Sequence, residues 1–200
     1  MISVIDYGGG NTKSVSNILQ RCKINHVVTH DHNEIKKSNR IILPGVANFS
    51  FCMKQLRNKG LDEIIKEEVM IRKKKFLGIC SGMQLLGSFS EEGNLDGLNL
   101  IPGQIKKLKK EKCKIIPHMG WNKIIHKDNV LLKNIDNNSR FYFCHSYYFH
   151  LEDENNSMIK TNYGFNFCVG VNKGNIYGIQ FHPEKSLSLG KTLINNFANI

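Results

Sequence analysis

The first ninety residues alternate between short apolar runs and segments with apolar positions at helical spacing. The apolar runs have the length of buried strands and lie at residues 1–6, 26–29, 40–43 and 76–79. The helical patterns lie at residues 12–22, 51–58, 61–72 and 83–86. Strands that alternate with helices predict an α/β fold built on a doubly wound, mostly parallel sheet.

The pattern changes after residue 93, where short strand-like runs replace the helices. They lie at residues 104–108, 122–125, 141–144, 158–161, 168–171 and 176–181. We interpret them as antiparallel additions together with one or two further strands of the main sheet, and residues 189–199 as a closing helix. No repeat, low-complexity tract or linker interrupts the chain, which predicts a single domain over residues 1–200.

Three predicted strands end in turns that contain small or reactive residues. Gly8 follows the first strand, Gly45 the third and Cys80 the fourth. The carboxyl ends of parallel strands meet at one edge of the sheet, where α/β proteins bind their ligands. We therefore expect these turns to lie together and to form the functional site.

Cys80 lies where a predicted strand gives way to a predicted helix, between Gly78 and Gly82. Small neighbours allow the sharp turn of a nucleophile elbow, which holds one side chain out into the open. The positive end of the helix dipole favours the thiolate, the reactive form of cysteine. The alternative is that Cys80 is a small buried hydrophobic residue, as most free cysteines are.

A histidine and a glutamate near the carboxyl terminus could complete a thiol active site. Pro183 disfavours helical geometry at His182, so the segment is predicted to be extended. Alternate side chains of an extended chain point the same way, which brings His182 and Glu184 to one side. A cysteine, a base and an acid that orients the base make up the general plan of an activated thiol nucleophile.

Composition excludes several classes of protein. The 40% hydrophobic and 22% charged content is ordinary for a globular protein, and no apolar run approaches the ~20 residues needed to cross a bilayer. The six cysteines include no C-x-x-C pair, so we expect reduced thiols. The polar residues 30–39 are predicted to be an exposed loop; His30, Asp31 and His32 could bind a metal, but a solvated loop is favoured. Because residues 1–10 lack the features of a signal peptide, a cytoplasmic location is expected.

The formal net charge of +11 raises the question of a nucleic-acid partner. The basic residues concentrate at residues 72–75 and 106–114. No nucleic-acid-binding motif accompanies these runs, and we interpret them as a solvated surface rather than a binding site.

Six motifs together resemble a known family. They are IDYGGGNTKSV (5–15), PGVANF (44–49), GICSGMQLL (78–86), PHMGWN (117–122), FCHSYY (143–148) and QFHPEKS (180–186). The chain resembles the class I glutamine amidotransferases nearly end to end. Within that family it resembles the glutaminase subunits of imidazole glycerol phosphate synthase, because PHMGWN is distinctive of them.

The resemblance implies a Cys80–His182–Glu184 triad that hydrolyses L-glutamine to glutamate and ammonia. It implies oxyanion donors at the backbone of Gly45, Val46 and Ser81. It implies substrate contacts from Gln84, His145, Ser146 and Tyr147, and partner contacts from Asn11, Tyr142 and Lys185. The implied partner is a (β/α)₈ barrel cyclase in a heterodimer, and no metal, organic cofactor, nucleic acid or membrane is implied.

Two residues depart from the family pattern. Ala47 stands where the family usually has glycine, and Ser81 stands where it usually has leucine. Neither change removes a catalytic group, but paralogues of this subunit serve surface-sugar amidination with the same glutaminase chemistry. A non-catalytic, partner-binding subunit is a further alternative of a different class.

Overall fold

The computed structural model describes all 200 residues, Met1–Ile200. Its strands are β1 Ile2–Ile5, β2 His26–Thr29, β3 Arg40–Gly45, β4 Lys75–Cys80, β5 Phe89–Ser90, β6 Leu95–Asp96, β7 Gly103–Lys107, β8 His118–Lys123, β9 Ile125–His126, β10 Arg140–His145, β11 Tyr147–Leu151, β12 Ser157–Asn162, β13 Asn166–Lys173 and β14 Ile176–Ile179. Its helices are α1 Thr12–Arg21, α2 His32–Lys37, α3 Phe49–Asn58, α4 Leu61–Lys66, α5 Ser81–Gln84 and α6 Leu187–Asn199.

The centre of the molecule is a parallel sheet in the order β2-β1-β3-β4-β14. Beyond β14 the same sheet continues through antiparallel strands β13, β11 and β7, and β8 and β10 form a separate two-stranded ribbon. The mostly parallel sheet with antiparallel additions confirms the predicted fold class.

Helices cover both faces of the parallel sheet and create two hydrophobic cores. Side chains of alternate residues of β4 point to opposite faces, so Phe76 belongs to one core while Leu77 and Ile79 belong to the other. The core that contains Leu77 also contains the apolar sides of α1 and α6, whereas the core that contains Phe76 contains those of α3 and α4. Burial on both faces explains why these strands are continuous apolar runs in the sequence.

The prediction of a loop at residues 30–39 was wrong, because α2 lies inside it. The Asp31 carboxylate accepts hydrogen bonds from the backbone N–H groups of Asn33 and Glu34, which caps the helix. Ile35 is fully buried beneath it. With one apolar residue in six, the helix has no periodic hydrophobic pattern that would predict it. The capping aspartate, however, could have indicated where the helix begins.

The strand predicted at residues 122–125 was displaced from the observed one. β8 begins at His118 and is defined by its antiparallel pairing with β10, in which His118 lies opposite His145. Its two apolar residues, Met119 and Trp121, alternate but are exposed, so pairing rather than a buried apolar face defines the strand. Residues 61–72 form α4 followed by a π-helical turn, Glu67–Ile71. No helix combines the length and apolar character that crossing a membrane requires.

Candidate active site

The turn between β4 and α5 holds Cys80 in a strained conformation. Its φ is 56° and its ψ is −114°, a combination that L-residues rarely adopt and that clusters at functional sites. The side chain is only 4% exposed, and it lines a cleft of about 350 Å³ at the carboxyl edge of the parallel strands. The backbone is that of a nucleophile elbow, but the predicted exposure of the side chain was wrong, because Cys80 is buried at the base of the cleft and packs against one of the hydrophobic cores.

Glycine on either side of Cys80, at positions 78 and 82, makes the sharp turn possible. A Cβ atom on Gly82 would lie 1.9 Å from the carbonyl oxygen of Leu43, and one on Gly78 would lie 2.5 Å from the carbonyl oxygen of Gly82. Real Cβ atoms do not approach backbone oxygen this closely, so α5 can pack against β3 and β4 only with glycine at both sites.

His182 and Glu184 form a buried pair after β14. The histidine Nδ1–H donates to Oε1 of Glu184 at 2.8 Å, and both side chains are almost fully buried. The backbone N–H of His182 donates to the carbonyl oxygen of Tyr142 at 2.9 Å, and the Ser186 hydroxyl donates to the His182 carbonyl at 2.6 Å. These contacts fix the orientation of the ring, with Nδ1 on Glu184 and Nε2 left for the cleft.

Electrostatics keep the His182 ring charged. Burial opposes the charged form, but hydrogen bonding to Cys80 and to Glu184 outweighs burial and raises the pKa of His182. A protonated imidazole beside a thiol is the arrangement found in thiol nucleophiles. The second oxygen of Glu184, Oε2, is buried and accepts no hydrogen bond. The interaction with His182 is therefore what offsets the cost of burying the carboxylate.

The cleft gathers most of the residues predicted to form the site. Those that line it are Val46, Cys80, Ser81, Gln84, His145, Ser146, Tyr147, His182 and Lys185. Gly45 lies beneath it against the backbone of Ser81 and Gly82, and Glu184 supports His182 through the hydrogen bond described above. Glu92, which the sequence did not single out, also lines the cleft.

The segment predicted to supply an oxyanion donor is engaged elsewhere in this conformation. The backbone N–H groups of Val46 and Ala47 both donate to the carbonyl oxygen of Gly9, at 2.9 and 3.2 Å. Val46 therefore has no free N–H to offer a developing negative charge. The two departures from the family pattern also touch, because the Ser81 hydroxyl donates to the Ala47 carbonyl oxygen at 2.9 Å.

Two of the three predicted partner contacts lie together. Lys185 Nζ is 5.4 Å from the centre of the Tyr142 ring, and Trp121 packs edge-on against the same ring. Met119 and Trp121 are 58% and 40% exposed on the neighbouring ribbon. Asn11, the third predicted partner contact, caps α1 and accepts a hydrogen bond from the Ser14 N–H.

Two buried histidines lie behind the cleft. His118 Nδ1 is 2.9 Å from His145 Nε2, and His145 Nδ1 is 2.7 Å from the carbonyl oxygen of Tyr147. Burial lowers the pKa of His118 to about 4, and burial together with the nearby His118 lowers that of His145 to about 3. Both nitrogens of His145 are occupied, so only the backbone of this residue can make polar contacts with a substrate.

Because these histidines are buried in the neutral form, we expect the free energy of unfolding to fall as the pH is lowered. In the unfolded chain a histidine takes up its proton near pH 6.5, but the folded chain keeps both rings neutral down to about pH 4. Between pH 7 and pH 5 the unfolded state therefore binds more protons, and each histidine lowers the free energy of unfolding by about 2 kcal/mol.

The measurement is urea unfolding at pH 7 and pH 5. For His118→Phe we expect the acid loss to be smaller than in the parent by about 2 kcal/mol. His182, whose pKa is raised, acts in the opposite direction, but it is common to both proteins and cancels. The exposed His150→Phe is the control. Equal acid losses in parent and His118→Phe would contradict the neutral-histidine assignment.

Sequence reasoning missed the side chains that surround the nucleophile. Gln180 Nε2 lies 3.6 Å from Cys80 Sγ, and the Cys144 carbonyl oxygen lies 3.8 Å from it. His182 is extended as predicted, but Pro183–Lys185 form a 3₁₀ turn, so the prediction that the extended segment continues to Glu184 was wrong. Alternation therefore gave no sound signal for Gln180. No sequence signal pointed to the Cys144 carbonyl, which is brought in by β10.

Comparison with known proteins identifies relatives over the whole chain. The profile of the family described as "Glutamine amidotransferase class-I" matches residues 3–200. The chain is 42% identical to "Imidazole glycerol phosphate synthase subunit HisH" of Leptospira borgpetersenii, with 100% of both chains covered. It is 44% identical to "Imidazole glycerol phosphate synthase subunit HisH 2" of Methanococcus maripaludis, with 98% of both covered.

Solved structures with lower sequence identity share the fold. One described as a glutamine amidotransferase superposes with a TM-score of 0.78 at 16% identity and covers 100% of this chain and 99% of its own. The structure of PurLQS from Thermotoga maritima superposes with a TM-score of 0.72 at 19% identity, covering 99% and 97%.

Proposed function

The chain belongs to the class-I glutamine amidotransferase family, and on that premise we propose that it is the glutaminase subunit of an imidazole glycerol phosphate synthase. It hydrolyses L-glutamine to glutamate and ammonia, and the ammonia passes to a (β/α)₈ barrel cyclase in histidine biosynthesis. The observation that carries the proposal is the buried His182–Glu184 pair beside a strained Cys80 in one cleft.

In the first half of the reaction, Cys80 Sγ attacks the side-chain amide carbon of glutamine. The C–S bond forms as the carbonyl electrons move onto oxygen. His182, held in position by Glu184, then gives its Nε2 proton to the amide nitrogen, and the C–N bond breaks to release ammonia. A glutamyl thioester on Cys80 remains.

In the second half, neutral His182 takes a proton from a water molecule that attacks the thioester carbon. The C–S bond breaks, the sulfur leaves as thiolate and the imidazole is again protonated. Each half passes through a tetrahedral oxyanion, for which the donors are the backbone N–H groups of Ser81 and Val46. The first N–H of a helix has no partner within the helix, which suits Ser81 to this task.

Two side chains in the cleft suit the rest of the substrate. Gln84 Oε1 accepts no hydrogen bond from the protein and can accept one from glutamine. Glu92 is the only carboxylate among the residues that line the cleft, and it is the natural partner for the α-ammonium group. We assign Glu92 to substrate binding on this ground, together with Gln84 and the backbone of residues 145–147.

The partner surface is proposed on the side of the cleft where Tyr142, Lys185, Met119 and Trp121 lie. Exposed aromatic and methionine side chains beside a lysine are typical of the centre of a protein interface. The excess of positive charge over the whole chain favours an acidic face on the partner.

Partner binding would also complete the oxyanion site. The Val46 N–H must leave the Gly9 carbonyl before it can serve an oxyanion, and one such donor contributes about 10²–10³-fold in rate. We therefore expect the isolated chain to release glutamate slowly and the complex with the barrel subunit and its ligand to be faster by about that factor.

The test is glutamate release from glutamine by the chain alone and after reconstitution with the barrel cyclase of the same organism. Formation of imidazole glycerol phosphate in the complex is the second readout. A complex that releases no glutamate would contradict the glutaminase proposal. Glutamate release that the barrel neither accelerates nor couples to cyclisation would contradict the synthase assignment alone.

The second candidate keeps the chemistry and changes the partner to a surface-sugar amidinating synthetase. The contact between Ser81 and Ala47, the two departures from the family pattern, is the observation that favours it. Acceleration by that synthetase, without any by the barrel cyclase, is the outcome that would replace the first proposal with the second.

A further inference from the structure

The hydrogen bonds behind the cleft allow only one assignment of donors and acceptors. The Tyr147 carbonyl oxygen can only accept, and it lies 3.1 Å from the side-chain amide nitrogen of Gln84. This contact fixes which end of the Gln84 amide is nitrogen. The second N–H of the same nitrogen then points to Gln180 at 2.9 Å.

The orientation of Gln84 dictates that of Gln180. Because Gln84 donates, the atom of Gln180 that faces it must be the acceptor Oε1. The Gln180 amide nitrogen is therefore turned towards Cys80, and it lies 3.6 Å from Sγ. Gln180 is fully buried, so no water competes for this N–H.

A second set of hydrogen bonds holds the Tyr147 carbonyl in place from the other side. Asn122 Nδ2 lies 3.1 Å from His118 Nε2, and as a donor it forces that nitrogen to accept. The His118 proton is then on Nδ1 and is donated to His145 Nε2, which puts the His145 proton on Nδ1, facing the Tyr147 carbonyl. The Tyr147 carbonyl oxygen thus accepts from His145 on one side and from Gln84 on the other, and Gln84 in turn donates towards Gln180 and the nucleophile.

We propose that Gln180 is a further catalytic residue of the glutaminase, a fixed N–H donor to Cys80 Sγ whose orientation is imposed by Gln84 and the Tyr147 carbonyl. The inference rests on the proposed function, in which Cys80 is the nucleophile. A hydrogen bond to the charged form of a group favours that form, so the donor raises the thiolate fraction before attack.

The same N–H assists the step in which the thioester breaks. Sulfur in a thioester carries no charge and is a poor acceptor, whereas the departing thiolate is a strong one. The bond to Gln180 is thus strongest when Cys80 is thiolate, at the start of acylation and at the end of deacylation. No proton is transferred to or from the amide in either step.

The test measures alkylation of Cys80 by iodoacetamide as a function of pH in the full chain. Mass spectrometry of the peptide that contains Cys80 separates it from the other five cysteines. In Gln180→Met, which keeps the length of the side chain without the donor, we expect the pH midpoint to rise by about one unit and the rate at pH values below the parent's midpoint to fall about tenfold. In Gln180→Glu, which puts an acceptor against Sγ, we expect a larger rise.

The exposed Gln104→Met is the matched control and should leave the midpoint unchanged. A merely structural role for Gln180 would lower the thermal unfolding midpoint without moving the alkylation midpoint, and that result would overturn the inference. If Gln180→Met does not fold, Gln84→Leu replaces it. That change frees the Gln180 amide to turn and should move the alkylation midpoint upward by a smaller amount; no movement would again overturn the inference.

The proposed function fails separately. If Cys80→Ala still releases glutamate, Cys80 is not the nucleophile, and the proposed function is contradicted whatever the Gln180 variants show. If Cys80→Ala is inactive but the Gln180 variants leave the alkylation midpoint unchanged, only the role of Gln180 is contradicted.

Discussion

Replacement of Cys80 by alanine is expected to lower glutamate release by the reconstituted complex by at least about 10⁴-fold. In the proposed reaction, the substitution removes the sulfur that forms the thioester and leaves only substrate binding and oxyanion donors. The strained backbone of the elbow is left as it was, since alanine also carries a Cβ, and only one sulfur atom is lost, so stability should change little. The measurement is a coupled glutamate assay at saturating glutamine, together with thermal unfolding of the same preparation.

Cys144→Ala is the matched control, because Cys144 lines the same cleft but only its backbone carbonyl lies near Cys80 Sγ. We expect its activity to stay within about threefold of the parent, since the carbonyl survives the change. A Cys80→Ala variant as active as the parent would favour the non-catalytic, partner-binding subunit instead.

The substitution Gly82→Ala is expected to cost at least about 3 kcal/mol of folding stability. The new methyl group would lie 1.9 Å from the Leu43 carbonyl oxygen, which is backbone and cannot move without shifting β3. At this chain length the unfolding temperature should fall by about 10 °C. The residue does not contact substrate, but activity should fall as well because the elbow must move to relieve the clash.

Gly174→Ala tests whether the cause is the close approach rather than the loss of a glycine. Gly174 has a φ of +62° and no atom within 4 Å of its added Cβ. It should therefore cost only the backbone strain, about 1 kcal/mol. Equal losses in the two variants would contradict the packing explanation.

The sequence predicted the parallel half of the sheet better than the antiparallel half, for a physical reason. Strands such as β3 and β4 are buried on both faces and are continuous apolar runs, which mark them without any knowledge of their neighbours. β8 contains Gly120 and exposed Met119, and it becomes a strand only through pairing with β10. β11 was not among the predicted strands, and it too is defined by its antiparallel pairing, with β7 and β13.

The candidate site was predictable in its residues and less so in its hydrogen bonds. The elbow glycines, the Pro183 constraint and the spacing of His182 and Glu184 depend on local geometry, which neighbouring residues determine. The bond from Val46 to Gly9 joins segments 37 residues apart, and that from Gln180 to Cys80 joins segments 100 residues apart. Long-range partners of this kind leave no periodic pattern in the sequence.

The division of the apolar interior into two cores has a consequence for how the chain can vary. Phe76 and Leu77 are neighbours in sequence, yet they contribute to packing on opposite sides of the backbone sheet. Energetic effects of substitutions that share no contacts are generally additive. Substitutions in one core can therefore be compensated within that core while the packing of the other core stays the same. The cleft at the carboxyl edge of the sheet need not change with either.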